Sequence, residues 1–511
     1  MPSRSGSTQP EIERKYDVPA GTPLPDLAEV EEVRVGPSVE HLLVATYFDT
    51  TDFALARARI TLRRRTGGDD AGWHLKTTTS VADERAERRL PLGRAVRTVP
   101  RPLRDLVQAV VRGRDLVGVV RLSTVRVESP LLAPGGETLA HVCDDSVTAE
   151  VLGSDTTTSW REWEVELAGG DRKLLDVVGA ALTRAGARPA DSPSKLARAL
   201  GDRLPPTSTA TKRRRPEKVT TSELLRAYLA RHLARLVDQD RDVRLDAPGA
   251  IHRMRISARR LRSALTTYGP LLEEGSVDEI CSDLRWLGRV LGEARDAQVL
   301  GERLRGLLAK QRADDVDALA AARIDATFDA AYATGRLTAV EALDSARYFG
   351  LLDALDVFVA DLPATPLADR PARTSVPGLL RRDVRRLRRA AKAVDEASDV
   401  ETRDRNLHEV RKKAKRLRYA AESAVPLFGR RAKKLSRRAK RIQEVLGAHQ
   451  DSVVACEKLT ELKAQAEQEG ESGVTYDRLL ALEKQVGEAV QAPYEAALDR
   501  IPHRVDRWVR C

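Results

Sequence analysis

Glu11-Ile12-Glu13-Arg14-Lys15 and, far downstream, Trp160-Arg161-Glu162-Trp163-Glu164-Val165-Glu166-Leu167 decide how the first part of the chain folds. Side chains of a strand alternate faces with period two. Glu11, Glu13 and Lys15 therefore share one face and Ile12 takes the other. In the second run Glu162, Glu164 and Glu166 share a face opposite Trp163, Val165 and Leu167. Strands with an acidic face and an apolar face make an inside-out sheet. Clustered carboxylates need a cation, and hard divalent ions such as Mg²⁺ take oxygen ligands.

Basic partners lie between these runs. Thr61, Arg63 and Arg65 alternate with Ile60 and Leu62, His74 and Lys76 with Trp73 and Leu75, and Arg85, Glu87 and Arg89 share a face in the next run. Arg121 and Arg126 fall in a later Val-rich stretch. A face carrying both signs suits an anion held together with its metal: carboxylates take the metal, and Arg or Lys the phosphate oxygens. A solvent-exposed face laced with cross-strand ion pairs is the plainer reading, and it fits one such strand better than five or six.

These runs, in this order, resemble the CYTH family of triphosphate tunnel metalloenzymes over about residues 10–200. The matching elements are Glu11–Lys15, Thr46-Tyr47-Phe48-Asp49-Thr50, Leu62-Arg63-Arg64-Arg65, Glu162–Glu166 and Ser194-Lys195-Leu196. The resemblance implies a closed antiparallel β-barrel with polar side chains inside and helices covering its apolar outside. It implies Mg²⁺ or Mn²⁺ on Glu11, Glu13, Glu162, Glu164 and Glu166, with one more acid from Val142-Cys143-Asp144-Asp145. Alternation with Ala140 and Val142 favours Asp144 as that acid. Lys15, Arg63, Arg65, Lys76, Arg89, Arg126 and Lys195 become phosphate contacts, and Glu87 joins the catalytic set unless it pairs internally with Arg85.

The second half repeats itself. His252-Arg253-Met254-Arg255-Ile256-Ser257-Ala258-Arg259-Arg260-Leu261-Arg262 matches the run from His408 to Arg418, 156 residues on. Pro270-Leu271 matches Pro426-Leu427 at the same offset, and Leu291–Asp296 matches Leu446–Asp451 at 155. The unit is too long and too few for a solenoid. His252, Arg255, Arg259 and Arg262 form one helical stripe, as do His408, Arg411, Lys415 and Arg418. Met254, Ala258, Leu261 and Leu265 form the opposing apolar face. Residues 405–441 hold fifteen Lys or Arg and two acids. Such a run is often a solvated face or a nucleic-acid patch, but here a histidine stays in register with the bases in both copies.

These residues resemble the CHAD domain over about residues 217–505. That implies an all-α helical bundle with an internal duplication, about 217–345 and 375–505, that binds polyphosphate through His252, Arg255, Arg259, Arg262, Arg295, His408, Arg411, Lys415, Arg418 and His449. Metal chelation by the histidines does not fit, because each sits among cations with no His at i+4 and no nearby Cys.

The expected class is thus α+β: a tunnel domain over 1–202, a Pro/Thr-rich linker over 203–216 and a helical domain over 217–511. The Lys212–Arg215 cluster of the linker is a possible polyanion contact. A net charge of +11 calls for anionic partners: inorganic triphosphate or polyphosphate rather than nucleic acid. Cys143, Cys281, Cys456 and Cys511 show no paired spacing and read as free thiols. Without a signal-like N-terminus or a membrane-length apolar run, the expected place is the cytoplasm, alone or on polyphosphate granules. The expected activity is metal-dependent hydrolysis of inorganic triphosphate. The alternatives are a tunnel acting on nucleoside or thiamine triphosphate, and a non-catalytic polyphosphate-binding protein.

Overall fold

The computed structural model describes residues 8–30, 33–79, 81, 83–94, 96–204, 218–312 and 316–502. The Lys212–Arg215 cluster and Cys511 lie outside the described residues. The chain divides into two compact units, residues 1–210 and 211–511.

The first unit contains β1 (Thr8–Asp17), β2 (Arg34–Val35), β3 (Val39–Asp49), β4 (Thr61–Thr66), β5 (Gly72–Thr78), β6 (Glu84–Leu90), β7 (Val117–Leu132), β8 (Thr138–Val151), β9 (Thr157–Leu167) and β10 (Arg188–Pro189). Its helices are α1 (Ala54–Arg57), α2 (Arg101–Arg104), α3 (Gln108–Val111), α4 (Arg172–Arg184) and α5 (Lys195–Leu200). The strands run β1-β6-β5-β4-β3-β7-β8-β9, and β9 pairs back onto β1. This is a closed eight-stranded antiparallel barrel, with the two-residue strands β2 and β10 added on β7 and β1. β1 closes it by dividing its length. Glu11 pairs with Arg85 of β6, while Glu13 and Lys15 pair with Glu166 and Glu164 of β9.

Alternation then sorts the side chains. The outer face of β1, β8 and β9 carries Tyr16, Val142, Trp163 and Val165, packed under Leu175, Val178 and Leu182 of α4. Burying each such leucine contributes roughly 1.5–3 kcal/mol. Asp171 caps α4 by accepting from the N–H groups of Lys173 and Leu174. Gly179 lets α4 approach, since a Cβ there would stand 2.2 Å from the Tyr16 hydroxyl. The interior is two-toned. One stretch is charged, while Ala45, Tyr47, Leu122, Val147 and Ala149 form an apolar stretch filled by Leu196, Ala199 and Leu200 of α5. Asp49, in the Tyr47-Phe48-Asp49 element, is structural: its buried carboxylate accepts from the N–H groups of Thr50, Leu55 and Ala56 and so fixes α1.

The second unit is helical: α6 (Thr221–Arg244), α7 (Ala250–Tyr268), α8 (Asp278–Leu308), α9 (Ala318–Leu343), α10 (Ala346–Ala360), α11 (Ala372–Asp395), α12 (Val400–Ser423), α13 (Val425–Gln468), α14 (Val474–Glu488) and α15 (Gln491–Asp499). Thr220 and Glu223 form a capping box at the start of α6. The Pro-rich stretch 362–376 turns helical at Ala372. Met254, Ala258, Leu261 and Leu265 of α7 are buried, as are Val410, Ala414, Leu417 and Ala421 of α12. Among the described residues no helix is long and apolar enough to cross a membrane.

Candidate functional site

The charged interior of the barrel encloses a cavity of about 230 Å³. Glu11, Glu13 and Lys15 of β1 face it, as do Glu164 and Glu166 of β9, Arg63 and Arg65 of β4, Lys76 of β5, Arg89 of β6, Arg126 of β7 and Lys195 at the start of α5. Glu87 and Glu162 stand behind this surface, 2% and 3% exposed, and brace the bases in front of them.

Buried cations and carboxylates interlock. Lys195 Nζ lies 2.9 Å from Asp145, 2.7 Å from Glu162 and 2.7 Å from Glu164. Arg126 grips both Asp145 oxygens at 2.7 Å and reaches Glu164 at 2.5 Å. Lys15 donates to Glu13 at 2.8 Å and also contacts Glu164. Lys76 pairs with Glu11. Burial alone would expel these charges. For Glu164 that penalty is more than offset by Lys15, Lys195 and Arg126, which hold its pKa well below the usual range. Glu13 is held near 2: burial opposes its charge, but Lys15 and Lys76 outweigh it. The Lys15 and Lys195 ammoniums are raised despite burial, by Glu13 and Glu164 on one side and Asp145 and Glu164 on the other.

Two places are left unbalanced. Burial raises the Glu166 pKa, and Glu11, Glu13 and Glu164 add to it, so negative charge exceeds positive there. Glu11 Oε2 is buried with no hydrogen-bond partner. At the other wall burial pushes Arg65 down to about 9, with Arg63 and Arg126 contributing, although Asp70 pairs with it. The first place asks for a cation and the second for an anion.

The donor set fits a hard divalent ion. The candidate ligand atoms are carboxylate oxygens, and one oxygen each from Asp145, Glu162 and Glu164 lie within 4.8 Å of one another. In the structure that space is neutralised by Lys195.

Asp144 is a correction. The register pairs Asp145 with Glu162 and Asp144 with Trp163. Asp144 therefore points outward, where Arg161 clasps it at 2.8 and 2.6 Å. Ala140 and Val142, taken as inward neighbours, belong to the outer core. Arg85 pairs with Glu13 at 3.8 Å rather than with Glu87, and Arg121 is half-exposed beside Glu150.

In the second unit Arg255, Arg259 and Arg262 of α7 and His408, Arg411 and Lys415 of α12 line one cavity of about 450 Å³. The two copies meet it alike. Arg255 lies against Gly292 and 2.6 Å from Asp296, and Arg411 lies against Gly447 and 3.8 Å from Asp451. A Cβ on either glycine would sit 3.3 Å from the guanidinium. Burial pushes Lys415 down to about 7, with Arg411, Arg259 and Arg255 adding to it.

Four expected members fall outside this lining. His252 precedes it by a turn of α7. Arg295 donates to Gln298, Arg418 to Glu422 and Gln443, and His449 sits 3.2 Å from Asp404 by a separate cavity. Each has been drawn off by a local partner, His252 excepted, which burial and Arg295 keep low in pKa. Conversely, Arg285 and Arg289 of α8 line the cavity and were not foreseen. Their i, i+4 spacing one turn before Gly292 was the available signal.

Comparison with known proteins matches the CYTH domain to residues 9–200 and the CHAD domain to residues 227–460. Two uncharacterized proteins of Mycobacterium tuberculosis, from strains CDC 1551 and H37Rv, are each 38% identical over 510 residues, covering 97% of both chains. Among solved structures, PptA from Streptomyces chartreusis is 21% identical with a TM-score of 0.46, covering 55% of this chain and 100% of its own. The CHAD domain from the plant Ricinus communis is 28% identical with a TM-score of 0.45, covering 55% and 93%. HpAC1 from Hippeastrum, described with a dominant triphosphatase activity, is 16% identical with a TM-score of 0.24, covering 39% and 98%. The chain belongs to the family in which a CYTH domain, the fold of the metal-dependent triphosphate tunnel enzymes, is followed by a CHAD domain.

Proposed function

We propose that the first unit hydrolyses inorganic triphosphate and that the second binds long-chain polyphosphate. The observation that carries the first half is the pair of unbalanced walls: surplus carboxylate at Glu11 and Glu166 and under-compensated base at Arg65 line one small cavity. Arg63, Arg65 and Arg126 bind phosphate oxygens, and Lys15, Lys76 and Lys195 take up charge that develops on them. A divalent ion, Mg²⁺ or Mn²⁺, on Glu11, Glu13, Glu164 and Glu166 supplies Lewis-acid polarisation when bound. Water attacks the terminal phosphorus and loses its proton to a carboxylate. The new P–O bond replaces the bridging one, releasing phosphate and diphosphate.

Among the described lining residues, Tyr47, His41 and His141 are the only rings, and none forms a stacking platform with another. This supports an inorganic substrate over a nucleoside or thiamine triphosphate. The one-signed cavity of Arg255, Arg259, Arg411 and Lys415 supports a polyanion in the second unit, and through it residence on polyphosphate granules in the cytoplasm. The test is phosphate release from triphosphate, ATP, thiamine triphosphate and long polyphosphate, each with Mg²⁺, Mn²⁺ or chelator. Triphosphate is expected to be turned over fastest and only with metal. Equal release from ATP, or release in chelator, rejects the reading.

A further inference from the structure

His74 is the one fully enclosed imidazole of the tunnel wall among the described residues, 1% exposed, and the reaction above gives it no role. Its two nitrogens have two partners. Nδ1 lies 2.8 Å from Glu87 Oε1, and Nε2 lies 2.9 Å from the main-chain oxygen of Asp70. Each partner leads to bases that face the cavity. Glu87 holds Arg89 and stands 3.7 Å from Lys76. Asp70 holds Arg65 through its side chain. One imidazole thus ties the β4–β5 turn to β6 and sets where three cations stand.

The partners also fix the number of protons. A carbonyl oxygen only accepts, so Nε2 carries hydrogen. Glu87 is held ionised independently of the ring, because Arg89 Nε donates to its Oε2 and Lys76 stands 3.7 Å from its Oε1, and its pKa lies low despite burial. An ionised carboxylate only accepts as well, so Nδ1 must carry hydrogen too. No neutral tautomer supplies both. Around the ring stand Glu87 and Arg89 on β6, Arg63 and Arg65 on β4, Lys76 on its own strand and Asp70 on the turn. Burial drives the imidazole down to about 4, with Arg63 and Arg65 adding to it and Glu87 opposing. Two acceptors at hydrogen-bond distance tip that contest, because losing either proton would set two lone pairs against each other in a buried place.

We propose that His74 is a positioning residue, held as an imidazolium that donates to both Glu87 and Asp70 and thereby aligns Lys76, Arg89 and Arg65 toward the phosphates. This rests on the triphosphatase reading for its kinetic consequence but not for its charge state. The charge is read directly by ¹⁵N-histidine NMR of the intact protein at pH 7, with His74→Gln identifying the resonance. Two protonated ring nitrogens are expected, and a neutral ring overturns the proposal whether or not the tunnel is active. In kinetics, His74→Leu is expected to lower kcat by about tenfold to a hundredfold, the scale of a misplaced binding group, with a smaller change in KM. His74→Gln, which keeps two N–H donors, recovers part of the loss. Wild-type turnover in His74→Leu, or equal losses in both variants, overturns the positioning role. Absence of turnover in the wild type rejects the triphosphatase reading instead and leaves the NMR result to decide the charge.

Discussion

The tunnel and the helical cavity both gather buried bases, yet they treat the same side chain in opposite ways. Lys15 and Lys195 in the tunnel have raised pKa values because Glu13, Glu164 and Asp145 stand against them. Lys415 in the cavity is pushed down to about 7 because burial and its nearest bases, Arg411, Arg259 and Arg255, all act in one direction. Apart from the places at Glu166, Glu11 and Arg65, the tunnel's charges are paired with one another, so an anion entering it meets cations already engaged and does best with a metal to satisfy the released carboxylates. The cavity's lining is one-signed, with Asp296 and Asp451 only flanking it behind Arg255 and Arg411, so an anion alone would relieve it.

The largest effect should come from breaking the balance of the tunnel. Glu164→Gln leaves Lys15, Lys195 and Arg126 without their shared carboxylate, and Glu11→Gln removes the oxygen that lacks a partner. Each should lower metal-dependent phosphate release by at least about tenfold to a hundredfold, with the fold checked by circular dichroism. Wild-type rates in both variants mean that the balance is not catalytic.

Next comes charge reversal in the cavity. Arg255→Glu with Arg411→Glu should weaken polyphosphate binding far more than reversal of the exposed Arg430 and Arg431, since exposed charges are screened. Titrations at two salt concentrations with chains of several lengths decide it, because each phosphate contact releases counterions. Equal losses reduce the cavity to a diffuse basic surface.

A smaller effect sharpens the contrast by pH. With Lys415 near 7 in the free cavity, a bound polyanion favours its ammonium, so affinity should fall as pH rises from about 7 toward 9. Lys415→Arg should flatten that slope. Folding stability should move the other way. The unfolded chain, with an ordinary value of 10.5, binds more protons than the folded one between about 7 and 10.5, so this group makes stability rise with pH there. The smallest effect is expected from separation. Fragments 1–202 and 217–511 should keep hydrolysis and binding respectively, since each unit has its own core. Loss of either function in folded fragments points to a composite site.

Most of the tunnel was legible because alternation writes the interior directly into Glu11–Lys15, Arg63–Arg65 and Glu162–Glu166. Parity failed at Asp144-Asp145, where two adjacent acids give no alternation and the register across the β8–β9 hairpin decides. The partner of a residue is hidden in the same way. His74 reads as one more polar position of β5, and its link to Glu87 exists only once β5 and β6 are side by side. On α7 and α12 the stripe gave the face but not its working length. The cavity takes three residues of each stripe and leaves out His252 at the start of one and Arg418 at the end of the other.

The matched pair of slots, Arg255 on Gly292 and Arg411 on Gly447, bears on which polymers the cavity can tell apart. A peptide or a nucleic acid has a beginning and an end, so reversing it changes every contact. A linear phosphate chain is a palindrome. It offers the same oxygens in either sense, so if it is the ligand, as proposed, the two matched slots would be expected to accept it with either terminus first.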